Sequence, residues 1–205
     1  MPDSPRTVVV FDFDGTLARG DSLVPFLARV CGWPRVSVAL AALGPRIAFA
    51  LAGRGNRDAI KEAIFVRLLA GRPASEVAAE GVRYAASLRH GTRLHPEMLE
   101  RVRWHHERGH ELVMVSASLS LYLEPLATGL GFDAVLATRL AVGEEGRLTG
   151  HYDGRNVRGP EKVARLEAWL GGDRPTLWAY GDSAGDEELL AIADQPRSVR
   201  RLGPR

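Results

Sequence analysis

Thr7-Val8-Val9-Val10-Phe11-Asp12-Phe13-Asp14-Gly15-Thr16-Leu17 begins as an unbroken apolar run rich in valine and stops at two aspartates and a glycine turn. A continuous β-branched run bounded by a turn signal reads as a strand buried on both faces, the kind found in parallel sheets. Glu111–Ser116 and Thr176–Tyr180 repeat the style, the second followed at once by Gly181-Asp182. Ala134–Ala137 is a weaker fourth strand. Helical patterns fall between the strands at Pro96–Glu107, Ser120–Gly129, Glu161–Leu170 and Asp186–Ala193. This alternation predicts an α/β fold with a mostly parallel sheet. Arg139–Tyr152 differs: two short runs flank Glu144-Glu145-Gly146, which predicts a β-hairpin.

Residues 20–90 hold no convincing strand. Helical patterns cover Ser22–Cys31, Val36–Ala52, Asn56–Ala70 and Ser75–Ser87, with Asn56 and Ser75 as N-caps. The expected organisation is therefore a Rossmann-like parallel-sheet core, residues 1–19 and 91–205, with a helical cap, residues 20–90, inserted after the first strand. Val36–Ala52 is the most apolar stretch, interrupted by Gly44-Pro45-Arg46. It falls short of the ~20 residues a membrane span needs and reads as a kinked or broken helix pair burying its apolar face. Contact of 36–52 with a membrane surface or a lipid tail is the competing reading. Arg197–Arg205 forms a basic tail beyond a last short strand.

The 205 residues suit one domain, or one core with a modest insertion, and an apolar fraction of 45% can fill a core. Acidic and basic residues are interspersed, with a formal net charge of +2, so electrostatics give no case for a nucleic-acid partner. Cys31 is the only cysteine, which excludes an internal disulfide and a thiolate metal cluster. The first residues lack the basic segment and long apolar run of a signal peptide, so a cytoplasmic location is expected. The oligomeric state is not legible. Lys61 and Lys162 are the only lysines among 27 basic residues, which makes each worth attention.

In open α/β sheets, ligands collect beyond the carboxyl ends of the strands. Asp12, Ser116 and Asp182 each fall at such an end, and Lys162 follows Gly159-Pro160 at the start of a helix. Carboxylates from two strands, with Asp14 nearby, form a hard-oxygen site suited to Mg²⁺. A lysine and a serine hydroxyl complement the oxygens of a transferring phosphoryl group.

These residues resemble the motifs of the haloacid dehalogenase superfamily. Asp12-Phe13-Asp14-Gly15-Thr16 is similar to its DxDGT signature, and Ser116, Lys162 and Gly181-Asp182-Ser183-Ala184-Gly185-Asp186 follow in the order of its other three motifs. The helical insertion resembles the cap of the phosphoserine-phosphatase-like branch. The resemblance implies a Mg²⁺-dependent phosphomonoester hydrolase. Asp12 is its nucleophile, giving a phospho-aspartate, and Asp14 its general acid and then base. Asp12, Asp14 (by its carbonyl) and Asp182 are the metal ligands, with Asp186 supporting them. Ser116 and Lys162 bind phosphate, and the Thr16 hydroxyl braces the loop beside it. Aspartate at position 14 also allows a phosphomutase. A non-catalytic binding protein on the same fold would be expected to have lost Asp12 or Asp14.

The substrate is less legible. Asp21 is a candidate partner for a substrate amine. The cap arginine of phosphoserine phosphatases would fall near Phe65, which is not basic; Arg67, Lys61 or Arg57 could replace it. Ser116-Ala117-Ser118 and Gly159-Pro160-Glu161-Lys162 look more like a neighbouring branch that includes histidinol-phosphate phosphatases and phosphatases of lipid phosphates. The expected partner is a small metabolite phosphate ester of the phosphoserine or histidinol-phosphate type. The alternative is a lipid phosphate such as a lysophosphatidate or phosphatidylglycerophosphate, with Arg46 meeting its phosphate or head group. His105, His106 and His110 read as a surface cluster, and Trp33, Trp104, Trp169 and Trp178 as packing in the core or at the cap junction.

Overall fold

The computed structural model describes residues 6–199, so most of the basic tail lies outside the described residues. The strand at the centre is β1 (Thr7–Phe11), flanked by β2 (Glu111–Leu119) and β5 (Thr176–Gly181), both parallel to it. Beyond β2 lie β3 (Ala134–Val142) and β4 (Leu148–Asp153); beyond β5 lies β6 (Gln195–Ser198), giving the order β4-β3-β2-β1-β5-β6. Every described pairing is parallel except β3 with β4, which is the expected hairpin. The apolar β1 run is explained by its position: Val9 and Phe11 enter one core, Val8 and Val10 the other, and all four are fully buried. The helices α5 (Pro96–His106), α6 (Ser120–Leu130), α7 (Pro160–Leu170) and α8 (Glu187–Ala191) connect the strands.

Residues 23–90 are helical: α1 (Leu23–Cys31), α2 (Trp33–Leu51), α3 (Arg57–Leu69) and α4 (Ala74–His90). The block is seated on the sheet by α4 against α6 and by α3 against β4. Gly150 permits the second contact, since a Cβ there would fall 2.4 Å from the Val66 Cα, and its φ of +83° disfavours any other residue. Asn56 caps α3 as expected, its side chain accepting from the Asp58 and Ala59 amides.

Several sequence expectations are corrected. α2 is one continuous helix rather than a broken pair: Pro45 lies inside it on the exposed side, and Ala41, whose carbonyl it leaves without a helical donor, is exposed too. α4 starts at Ala74 behind Pro73, so Ser75 is not its cap. β2 runs past Ser116 to Leu119 through a register shift. Trp33 is 60% exposed rather than packed, and His105 is fully buried rather than on the surface. Among the described residues, no helix is long and apolar enough to cross a membrane.

Candidate active site

Strand registers place the chemistry. Phe11 is level with Met114 of β2 and Tyr180 of β5, so Asp12, Ser116 and Asp182 all emerge just beyond, at one carboxyl edge. Asp12 continues the ladder by one bond, from its amide to the Tyr180 carbonyl at 2.9 Å. The chain then turns at Gly15, whose φ of +83° is open to glycine and whose missing Cβ would lie 2.4 Å from Asp182 Oδ2. The turn thereby brings the backbone after Asp14 against Asp182.

Asp12, Asp182 and Asp186 each offer a carboxylate oxygen, and these atoms lie within 4.8 Å of one another. Lys162 Nζ donates to Asp12 Oδ1 and to Asp186 Oδ1, both at 2.5 Å, with all three side chains buried. The other Asp186 oxygen accepts from the Ser183 amide and hydroxyl at 3.0 and 2.7 Å and from the Asp182 amide at 3.3 Å, so Asp186 ties the lysine to the turn that carries Asp182. Ser116 is buried and its hydroxyl accepts from the Ser118 amide.

Burial pushes the Asp12 carboxyl up to about 7, with Lys162 pulling the other way and Asp186 and Asp14 adding to the rise. For Lys162, burial opposes the charged form, but Asp12 and Asp186 outweigh it and raise its pKa. For Asp186, burial is outweighed by Lys162 and the Ser183 bonds, which hold it below the usual range. Two acids thus share one ammonium, with the Asp182 carboxylate beside them. The donor set fits a compact divalent cation: about 2.1 Å metal–oxygen bonds put the oxygens of one Mg²⁺ about 3–4 Å apart, within reach of Asp12 and Asp182 after a small contraction, while both Asp186 oxygens are engaged by Lys162 and the turn.

Asp14 turns its carboxylate away from this cluster. Oδ1 accepts from the Ser22 amide at 2.9 Å and Oδ2 from the Ser118 hydroxyl. Burial raises its pKa and these bonds offset the rise only in part. Tyr122 in turn shares a 2.8 Å bond with the Ser22 hydroxyl, and Tyr84 donates to the Ser22 carbonyl. The Thr16 hydroxyl is fully buried and makes no hydrogen bond among the described residues, so the expected bracing contact is absent there.

The cap candidates separate. Asp21 is exposed and its carboxylate accepts from the Val24 amide in the first turn of α1 at 2.8 Å, close enough to the site to act on Asp14 electrostatically. Arg46 and Arg67 are exposed and share an outer groove with His151 and Glu62; that groove is lined by none of the carboxylates just described. The helical block places Lys61 of α3 beside the part of β2 that carries Ser116. Its ammonium donates to the Ala117 carbonyl at 2.6 Å and to Asn156 Oδ1 at 3.0 Å, and burial lowers its pKa to about 8. Asn156 binds Asp58 of the same helix and accepts from Thr138 of β3, completing a bridge from helical block to sheet. The rarity of lysine marks Lys61 in the sequence. Ser118 and Asn156 carry no such signal, because their partners are distant in the chain.

The family model described as haloacid dehalogenase-like hydrolase matches residues 9–191. Protein CicA of Caulobacter vibrioides is 37% identical over 188 residues, covering 92% of this chain and 83% of that protein. A phosphoserine phosphatase of Halobacterium salinarum is 32% identical over 197 residues, covering 91% and 82%. Among solved structures, a protein of unknown function from Bordetella pertussis Tohama I superposes with a TM-score of 0.80 at 25% identity, over 95% of this chain and 90% of that one. With the four motifs converging on one sheet edge, the chain is an enzyme of the haloacid dehalogenase-like hydrolase family.

Proposed function

We propose that this enzyme is a Mg²⁺-dependent phosphomonoesterase of the cytoplasm that works through a phospho-aspartate on Asp12, with residues 20–90 as its substrate-selecting cap. The observation that carries the reading is the pairing of a buried Asp12 with Lys162, beside two further carboxylates. Asp12 attacks phosphorus, and the ester oxygen leaves with a proton from Asp14, whose raised pKa suits a proton donor. Lys162 and Ser116 face the phosphoryl oxygens. Asp14 then takes a proton from the water that cleaves the acyl phosphate. Asp12, the Asp14 carbonyl and Asp182 would hold Mg²⁺, which supplies a positive charge for the phosphoryl oxygens. Asp186 would orient Lys162 and the Asp182 turn.

The substrate we favour is a small metabolite phosphate of the phosphoserine or histidinol-phosphate type, selected by Lys61 and Asp21 at the cap side of the site. A panel of phosphate esters with Mg²⁺, and again with chelator, tests this. Turnover of small amino-alcohol phosphates that chelator abolishes supports it. Chelator-resistant turnover, or none with any ester, overturns it. The exposed apolar side of α2 favours a second reading, a lipid phosphate. In that case catalytic efficiency climbs with acyl length in a lysophosphatidate series held below its micelle threshold.

A further inference from the structure

We propose that the outer face of α2 is a docking surface for an anionic lipid bilayer, whichever phosphate ester the site accepts. α2 is apolar on two opposite sides. Val36, Ala39, Leu43 and Ala50 are buried against the neighbouring helices α1 and α3. The opposite stripe, Pro34, Val38, Ala41, Pro45, Ala48 and Phe49, is exposed and holds no charged or hydrogen-bonding side chain. Val38 is 64% exposed and Phe49 55%. A helix that covers only one side against its own fold normally presents polar residues on the other, and a contiguous exposed apolar stripe marks a contact surface.

The charges beside the stripe select the partner. From Ser22 to Arg57 the sequence contains no acidic residue, while Arg35, Arg46, Arg54 and Arg57 are exposed. These four arginines form no ion pair among the described residues. The acids of the adjoining helix α3 are engaged elsewhere, Asp58 with Asn156 and Glu62 with His151 and Tyr152. An apolar helix face edged by arginines lies down at the boundary between acyl chains and negatively charged head groups. A second copy of the chain fits less well: pairing two such faces would bring arginines towards arginines with no carboxylate between them.

Flotation of the full-length protein with vesicles tests this without any substrate, so its outcome is independent of the phosphatase reading. The vesicles are phosphatidylcholine alone, or with roughly one-third phosphatidylglycerol. The expected result is binding to the anionic vesicles only, weakened by salt. Val38→Glu with Phe49→Glu, and separately Arg35→Glu, should each reduce binding about tenfold or more. Circular dichroism and turnover of p-nitrophenyl phosphate by these variants should match the parent, which excludes misfolding. No binding to anionic vesicles, equal binding by the folded variants, or a solution dimer that Val38→Glu makes monomeric overturns the proposal.

Discussion

The Lys162 ammonium lies 2.5 Å from Asp12 Oδ1, with both side chains buried. The residues are far apart in sequence, and the contact forms because Gly159-Pro160 starts α7 under the carboxyl edge of the sheet. A carboxylate that burial drives towards protonation needs such a neighbour to stay ionised near neutral pH.

Lys162→Arg should lower kcat/KM by ~10²-fold or more although charge is kept. A guanidinium is a wide planar fork, and the space between Asp12 and Asp186 fits a compact ammonium. Steady-state kinetics on a soluble ester checks this; near-parent rates would mean that only charge matters. Lys162→Met should lower unfolding free energy by about 3–5 kcal/mol in metal-free urea titrations, because two buried carboxylates lose their shared partner.

Asp14→Asn should lower kcat by ~10²–10⁴-fold. The loss in kcat/KM, which reports the step that expels the alcohol, should be larger for an alkyl phosphate than for p-nitrophenyl phosphate, whose leaving group needs little protonation. Equal losses in kcat/KM on the two esters would remove Asp14 from the leaving-group step.

Lys61→Met should act on binding more than on chemistry. The ammonium joins α3 to Asn156 and to the carbonyl of Ala117, next in sequence to Ser116, the proposed phosphate ligand. The expected change is a rise in KM of about tenfold, the cost of losing one or two such bonds, with a smaller change in kcat. An unchanged KM would leave Lys61 as a packing residue.

Stability should fall on acidification through His105. The ring is fully buried, bonded to His110 at 2.8 Å and to the Tyr180 hydroxyl at 3.0 Å. Burial lowers its pKa to about 4, with the His110, Arg101 and Arg108 charges acting in the same direction. The unfolded chain therefore binds the proton first, from a pKa of about 6.5. The folded state loses at most about 1.4 kcal/mol per pH unit from this group as pH falls from about 6.5 to about 4, and nothing further below. Urea midpoints against pH should show that slope, and His105→Gln should flatten it. An identical slope in the variant assigns the loss to other groups.

The central strands, and the meeting of Asp12 and Asp182 at their ends, were legible because β1 and β5 are short apolar runs ending in a glycine turn, a pattern set locally. Asn56 was legible as a cap for the same reason. What was missed depends on distant partners. His105 looks like a surface residue until Tyr180 closes over it from the sheet. β2 looks finished at Ser116 because the bulge that carries it to Leu119 is made with β3. Pro45 looks like a helix break, but it falls on the one side of α2 where solvent can satisfy the freed carbonyl. Asp14 pointed to chemistry from its motif, whereas the Ser22 and Ser118 contacts that hold it appear only once α1 and β2 are in place.

The most direct measurement of the central claim is a crystal structure of the enzyme with Mg²⁺ and beryllium fluoride, a mimic of an acyl phosphate. The fluoride adduct should sit on an Asp12 carboxylate oxygen, with Lys162 turned to its fluorines and the metal between Asp12 and Asp182. An adduct on any other residue, or an Asp12 carboxylate left unmodified while the same preparation hydrolyses phosphate esters, would contradict it.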